Sequence, residues 1–246
     1  MNDEQLLRYS RQIMLPGVDL DGQEMLSVAR VTLVGAGGLG NAVALYLAAA
    51  GVGHLRLIDD DVIETSNLAR QIAYTDADVG QFKVEVLKRE TLLRNPTAQV
   101  EAVRDRLTQD NAKQLLLGSH VVVDCSDNYN ARFAINDTSF AMKIPVVYGA
   151  ATAWQGQVFV CDPGNAQSPC YECFNPSRSE LDTSCARNGV LGPLLGVMAS
   201  QQAVEAMRLI LGLESSSVLQ LYDARDSHWH RILLKPRKGC QCCGGS

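Results

Sequence analysis

The sequence predicts an α/β protein, with a mostly parallel sheet flanked by helices and an antiparallel extension toward its C-terminal end. Short apolar runs alternate with helical segments through about residue 150, and this alternation is typical of parallel βαβ units. The pattern then changes, and we expect residues 149–162 to form strands that cross the end of the sheet. An apolar helix over 192–211 precedes two strand-like runs, 218–224 and 229–235, which favour a closing hairpin.

The strongest motif lies in residues 30–61. A β-branched apolar run at 31–34 leads into a glycine-rich turn and then into an alanine- and leucine-rich helix. The glycines of the turn are Gly35, Gly37, Gly38 and Gly40, in the spacing G-x-G-x-x-G. A strand over 54–58 then ends on Asp59, about twenty residues farther on, where a carboxylate can bind ribose hydroxyls. Because glycines let the backbone approach a phosphate, the motif predicts a Rossmann-like nucleotide site, with a purely structural turn as the alternative.

Length, composition and charge limit the classes of protein. The chain has 246 residues, of which 46% are hydrophobic, and this suffices for a sizeable core. A net charge of −5 argues against non-specific binding to nucleic acid or to a membrane surface. The polar start and the lack of a long apolar run predict a cytoplasmic protein. We expect one domain over 1–246, with a helical arm (1–28), a nucleotide-binding half (29–150) and a second half (151–246).

Side chains must hold the phosphates of any nucleoside triphosphate, since no G-x-x-x-x-G-K-[ST] motif follows the first strand. The polar stretch 60–71 lies just beyond the second strand, where ligands of doubly wound sheets bind. Its candidates are Asp61, Ser66, Asn67 and Arg70. A helix cap followed by a surface arginine is the alternative. We predict a helix that begins within 79–83, continues to about Arg94 and stops before Asn95 and Pro96. Lys83 lies in its first turn, where the dipole favours anions, so a phosphate beside it would explain its position; an isolated surface lysine is the alternative.

The N-terminal arm supplies another candidate cation. We predict a helix over 4–14, capped by Asp3, that carries Arg11. Arg11 is then either a solvated surface arginine or a cation offered to the phosphates bound by a neighbouring subunit.

A predicted magnesium site follows the buried strand 121–124, which ends in the letters DCSDN. Asp124, Asp127 and Asn128 cluster there, at the carboxyl end of a strand. Mg²⁺ prefers one or two carboxylates together with phosphate oxygens. The alternative is an Asx turn that caps the next helix.

Eight cysteines need an explanation other than disulfides in a reducing compartment. Two C-x-x-C pairs, Cys170 with Cys173 and Cys240 with Cys243, make a tetrahedral zinc site plausible, although their long separation does not force them together. A redox pair and unliganded thiols are the alternatives, and Cys242 complicates the second pair. Cys185 stands apart beside Arg187, so it is either a thiolate nucleophile or an incidental cysteine.

Several motifs in this order resemble the MoeB/ThiF family of ubiquitin-activating-enzyme-like adenylyltransferases. They are RYSRQI, GAGGLG, IDDDVIETSNLARQ, the helix that carries Lys83, DCSDN, PCYEC, GVLGPLLGVMASQQAVEA and GCQCCG. The resemblance covers nearly the whole chain.

The resemblance implies that the protein uses ATP and Mg²⁺ to adenylylate the C-terminal Gly-Gly carboxylate of a ubiquitin-fold sulfur-carrier protein. It implies that the glycine turn holds the nucleotide, Asp59 the ribose, and Asp127 the Mg²⁺. Asn67, Arg70 and Lys83 would contact the phosphates. Arg11 would come from the partner subunit of a homodimer. The four cysteines of the C-x-x-C pairs would bind Zn²⁺, and Cys185 would match a cysteine that forms an acyl-disulfide or sulfur-transfer intermediate in some members.

The sequence leaves the carrier open. A carrier of the molybdopterin pathway is the first expectation, and a thiamine carrier is the alternative. The sulfur donor would be a separate protein, such as a cysteine desulfurase or a rhodanese. An NAD-dependent oxidoreductase is the alternative from another class, supported only by the glycine turn and Asp59.

Overall fold

A computed structural model describes residues 1–176, 189–213 and 217–244. Its strands form one eight-stranded sheet in the order β3-β2-β1-β4-β5-β6-β7-β8. Five strands run parallel, namely β1 (Arg30–Val34), β2 (His54–Ile58), β3 (Gln99–Val103), β4 (Val121–Asp124) and β5 (Val146–Thr152). Crossover helices join them, namely α4 (Gly40–Ala49), α5 (Lys83–Arg94), α6 (Ala112–Leu116) and α7 (Tyr129–Met142). The predicted α/β class is confirmed.

The rest of the sheet is antiparallel. It consists of β6 (Gln155–Cys161), β7 (Val218–Asp223) and β8 (His228–Leu233), and the last two form the predicted hairpin. The prediction that residues 149–162 cross the end of the sheet is wrong. A tight turn at Ala153, where φ is +50°, returns the chain so that β6 pairs with β5 inside the same sheet.

Helices cover both faces of the sheet, and each covered face has its own apolar core. On one face, α4, α5 and α9 (Gly192–Ile210) bury side chains such as Leu47, Leu87 and Met198. On the other face, α6, α7 and α8 (Tyr171–Phe174) bury Phe133 and Tyr171, among others. Burial on both faces explains why β1 and β4 are continuous apolar runs rather than alternating ones. None of the described helices is long and apolar enough to cross a membrane.

The N-terminal arm differs from its prediction. It forms α1 (Asp3–Arg8), α2 (Ser10–Ile13) and α3 (Asp19–Val28), and the cap of α1 is Asn2 rather than Asp3. The expected single helix is broken at Tyr9, whose side chain is buried and whose hydroxyl accepts a hydrogen bond from Asn95 Nδ2 at 3.0 Å. Burial of this aromatic ring outweighs the local preference for a continuous helix.

Candidate active site

A cleft of about 1120 Å³ opens at the carboxyl ends of the parallel strands. The strand order reverses between β1 and β4, and ligands of open α/β sheets bind at such switch points. Ten predicted nucleotide residues line the cleft, namely Gly35, Gly37, Gly38, Asp59, Asp61, Asn67, Arg70, Lys83, Asp127 and Asn128. Gly40, Ser66 and Arg11 are not among the lining residues, and Cys185 lies outside the described part of the chain.

The glycine turn is shaped by close backbone contacts. Gly35 has a φ of +96°, and a Cβ there would lie 2.7 Å from the carbonyl oxygen of Cys125. A Cβ on Gly40 would lie 1.8 Å from the carbonyl oxygen of Gly35, so the first turn of α4 can form only with glycine at this position. Gly40 therefore permits close packing against the backbone of Gly35. The other predicted glycines, Gly35, Gly37 and Gly38, line the cleft.

Asp59 closes the turn from the end of β2. Its carboxylate accepts the backbone N–H groups of Ala36 at 2.7 Å and of Asp61 at 2.8 Å. Burial raises the pKa of Asp59, and these N–H groups together with the charge of Lys83 oppose that shift. The carboxylate thus fixes the shape of the turn at the place where a ribose would be bound.

Lys83 begins α5, and its Nζ lies 2.7 Å from Asp61 Oδ2. The lysine side chain is 8% exposed, whereas the Asp61 side chain is 57% exposed. An anionic partner therefore explains a lysine in the first turn of a helix, as predicted, but in this structure the anion is Asp61. A phosphate group entering the cleft would reach the same Nζ.

Arg70 and Asn67 hold the other side of the cleft. Arg70 Nη1 donates to the carbonyl of Ser66 at 2.8 Å, and Asn67 Oδ1 accepts the N–H of Glu64 at 3.1 Å. The hydroxyl of Ser66 donates to Glu64 Oε2 at 3.1 Å, which is a local contact within the loop. A Cβ on Gly192 would lie 2.7 Å from the carbonyl oxygen of Ala69, so the start of α9 packs against the backbone beside Arg70.

The residues after β4 have separate roles. Asn128 Oδ1 accepts the N–H of Ala131 at 2.8 Å, so it caps α7, as the alternative prediction described. Asp124 is fully buried, and its carboxylate lies 3.6 Å from Arg132 Nε. Burial raises the pKa of Asp124, and Arg132 opposes the shift. Asp124 is thus enclosed rather than available to a metal, and the prediction for this residue is wrong. Asp127 lines the cleft.

Besides Asp127, a group of three acidic side chains lines the cleft. Carboxylate oxygens of Asp59, Asp60 and Asp61 lie within 4.8 Å of one another and could hold a cation. Arg106, which is not among the predicted site residues, also lines the cleft and pairs with Asp60 at 3.2 Å. Its position just after β3, at the carboxyl end of a parallel strand, is the signal that would have identified it.

The two C-x-x-C pairs meet, although a long stretch of chain separates them. The Sγ–Sγ distances are 3.5 Å between Cys170 and Cys240 and 3.4 Å between Cys173 and Cys243. Four thiolates at about 2.3 Å from one Zn²⁺ would lie about 3.8 Å apart, so this cluster fits a tetrahedral zinc ion. No disulfide joins the cysteines that the structure describes. The Sγ of Cys242 instead accepts from Asn136 Nδ2 at 3.0 Å and is outside the four-sulfur cluster.

Arg11 lies on α2 and is exposed to solvent. Its neighbour Arg8 donates from Nη1 to the carbonyl of Arg94 at 3.1 Å, so that arginine anchors the arm to the end of α5. Arg11 is outside the lining of the cleft in its own chain. Any role at a nucleotide site would therefore be at that of another subunit.

The chain is similar to known proteins in both sequence and structure. The ThiF family pattern matches residues 9–243. The chain is 41% identical to the sulfur carrier protein ThiS adenylyltransferase of Escherichia coli, over all of this chain and 98% of that protein. It is also 41% identical to a molybdopterin-synthase adenylyltransferase of Salmonella typhimurium, over 99% of this chain and 98% of that protein.

A solved structure shares the fold. The crystal structure of E. coli MccB with ATP superposes with a TM-score of 0.83, at 25% sequence identity, over 97% of this chain and 75% of that one. Because the family pattern spans nearly the whole chain and the two enzymes above match it end to end, this protein belongs to the ThiF family.

Proposed function

We propose that this enzyme uses ATP to adenylylate the C-terminal Gly-Gly carboxylate of a ubiquitin-fold sulfur-carrier protein. The observation that supports this most directly is the joining, in one cleft, of a glycine turn with Arg70, Lys83 and Asp127. The names of its relatives point to the same reaction. The alternative function, an NAD-dependent oxidoreductase, would explain the glycine turn and Asp59. It would not explain this set of charged side chains or the cysteine cluster.

The chemistry is the attack of a carboxylate oxygen on the α-phosphorus of ATP. A new P–O bond forms to the carrier, and the bond to pyrophosphate breaks. The nucleophile is already ionised, so no general base is required. Two anions must approach each other, and Arg70 and Lys83 would offset this repulsion and the charge that develops on pyrophosphate. Asp59 would accept the ribose hydroxyls.

Magnesium fits the acidic side chains that face the cleft. Asp127 would be the principal ligand, and the carboxylates of Asp60 and Asp61 are close enough to one another to assist through water. When bound, Mg²⁺ supplies positive charge to the phosphate oxygens. Zinc fits the separate four-cysteine cluster, where it would fasten the C-terminal residues to the segment that begins at Cys170.

The working protein is proposed to be a homodimer, because Arg11 is exposed and outside its own cleft. In a dimer it would complete the phosphate site of the partner subunit. The proposed location of the protein is the cytoplasm, as the sequence predicts. A separate protein, such as a cysteine desulfurase or a rhodanese, would then donate sulfur to the adenylylated carrier. Cys185 remains a candidate thiol for that later step.

The first experiment compares two carrier proteins as substrates. Similarity to the thiamine-type and molybdopterin-type relatives is equal at 41%, so ATP–[³²P]pyrophosphate exchange should be measured with both carriers. Exchange that depends on one carrier, and is lost when its last glycine is deleted, supports the function and identifies the pathway. ATP binding without exchange with either carrier would contradict the proposal. Arg70→Ala should abolish exchange while leaving the fold intact.

A further inference from the structure

We propose that Arg132 and Gln202 are positioning residues that hold, from opposite faces of the sheet, the loop 124–128 on which Asp127 stands. This inference rests on the proposed function, in which Asp127 is the principal ligand of the magnesium ion. Neither side chain is among the predicted site residues. Each of them donates hydrogen bonds to one backbone carbonyl at or just beyond the carboxyl end of β4 and to one in the first half of β5.

The pairing of β4 with β5 ends just before the loop that carries Asp127. The last residue pair between β4 and β5 is Asp124 with Tyr148, and the pairing of the two strands ends there. Carbonyl groups near this point need other donors, because buried backbone acceptors are nearly always hydrogen-bonded. The loop that carries Asp127 begins here, so its position depends on how these carbonyls are satisfied.

Gln202 serves one face. It lies in α9, which packs on the face that holds Met198 and Leu47, and it is fully buried. Its Nε2 donates to the carbonyl of Asp124 at 2.8 Å and to that of Val147 at 3.3 Å. The amide therefore joins the last residue of β4 to β5.

Arg132 serves the other face. It lies in α7, beside Phe133, and only 7% of its surface is exposed. Its Nη2 donates to the carbonyl of Ser126 at 2.7 Å and to that of Gly149 at 2.9 Å. These contacts repeat, two residues farther along, the joining of β4 to β5 that Gln202 makes.

The charge of Arg132 is matched within the same loop. Asp124 lies opposite its Nε and also accepts the N–H and the hydroxyl of Ser126, at 2.9 Å and 2.6 Å. A buried guanidinium needs such a partner, since an unpaired buried charge is very costly. The network thus ties the residues directly before Asp127 to one another as well as to β5.

The same loop also supports the nucleotide turn. The backbone of Cys125 and Ser126 lies against Gly35, where a Cβ would come within 2.7 Å of the Cys125 carbonyl oxygen. A shift of this loop would therefore displace Asp127 and distort the glycine turn together. This places the contacts of Arg132 and Gln202 next to the two elements that would bind Mg²⁺ and ATP.

Arg132→Lys tests the inference, because lysine keeps the positive charge opposite Asp124 but loses the planar fork that donates to the carbonyls. Arg56→Lys is the matched control. Arg56 Nη1 also donates to two backbone carbonyls, those of Leu115 at 2.7 Å and Leu117 at 3.1 Å, but Arg56 does not line the cleft. Gln202→Met is a second, uncharged variant that removes the other pair of contacts.

Two readouts do not depend on turnover. The first is amide hydrogen exchange of the peptide that contains residues 124–128, which should quicken in Arg132→Lys and Gln202→Met but not in Arg56→Lys. The second is binding of Mn²⁺, as a probe for Mg²⁺, to the ATP-loaded protein by electron paramagnetic resonance. Loss of an outer-shell partner should weaken Mn²⁺ binding roughly 10- to 100-fold. The Mg²⁺ concentration for half-maximal pyrophosphate exchange should rise with it.

The outcomes separate the two proposals. Absence of exchange in the wild-type protein would count against adenylylation, while hydrogen exchange of the loop would still report on the contacts. A wild-type protein that exchanges pyrophosphate, together with folded Arg132→Lys and Gln202→Met variants whose loop protection and Mn²⁺ affinity equal those of Arg56→Lys, would overturn the positioning role. If Arg132→Lys fails to fold, Gln202→Met alone decides by the same measurements.

Discussion

Replacing Lys83 by methionine should strongly slow adenylylation while leaving the protein folded. Methionine keeps most of the apolar stem, which is buried at the start of α5, and removes only the ammonium group. That group lies 2.7 Å from Asp61 and faces the cleft in which the phosphates of ATP are proposed to bind. The variant therefore isolates the charge from the packing.

The expected loss of stability in Lys83→Met follows from the exposure of Asp61. Asp61 is 57% exposed, so it stays solvated when the lysine is removed, and the lost ion pair should cost less than about 1 kcal/mol of stability. The loss of a preorganised cation at the developing negative charge should cost about 3–4 kcal/mol of transition-state stabilisation, or roughly a 100- to 1,000-fold fall in rate. Catalysis should thus suffer several times more than folding.

The assay is carrier-dependent pyrophosphate exchange, with thermal denaturation measured on the same samples. Lys88→Met is the matched control, because Lys88 lies on the same helix but outside the lining of the cleft. The reasoning is refuted if a folded Lys83→Met variant exchanges pyrophosphate within about threefold of the Lys88→Met control, since that would mean less than about 1 kcal/mol of electrostatic stabilisation.

Three further predictions concern the turn, the ribose acid and the cysteine cluster. Gly40→Ala should abolish ATP binding by calorimetry and lower the melting temperature, because its Cβ would lie 1.8 Å from a backbone oxygen; Gly196→Ala, with open space around it, should instead stabilise α9 by about 0.5–1 kcal/mol. ATP affinity should fall as the pH is lowered through the raised pKa of Asp59, at a higher pH than for an exposed aspartate, because protonation removes a hydrogen-bond acceptor; an Asp59→Asn variant should lack this dependence. Cys240→Ser should lose bound zinc by elemental analysis and unfold at a lower temperature, whereas Cys242→Ser should retain one zinc ion per chain.

Local sequence signals predicted the parallel half of the fold well. The strands β2 and β4 begin and end at the predicted residues, because short apolar runs there are bounded by glycine, aspartate or polar turns. The end of α5 at Arg94 agrees with the prediction, since Pro96 disfavours the helical conformation at Asn95. Tertiary contacts overrode the local signal in the arm, where burial of Tyr9 breaks a segment that reads as one helix.

The sequence also predicted most of the charged side chains now proposed to bind ATP in the cleft, for a simple reason. In a parallel sheet the carboxyl ends of the strands share one edge, so polar residues that follow different strands must meet there. Asp59, Asp127 and Arg70 satisfy this rule. The meeting of the two cysteine pairs is of another kind, because it depends on the antiparallel strands returning the chain to the segment near Cys170, and no spacing rule requires that return.

Arg132 and Gln202 escaped prediction because the groups that they hold in place are backbone carbonyls, which leave no mark in a sequence. Gln202 nevertheless carries a signal. Met198, Ala199 and Ala206, its neighbours one turn away on α9, are buried and apolar, as is the adjacent Ala203, while the buried Glu205 is paired with Arg208 and Gln220. An amide in the middle of such a stripe would be costly unless its polar atoms found partners, so its presence implies unpaired acceptors facing that point of the helix. In an open α/β sheet such acceptors occur where strands separate, and that is where ligands bind. A buried amide among apolar residues on the sheet-facing side of a helix is therefore a usable pointer to the floor of a site.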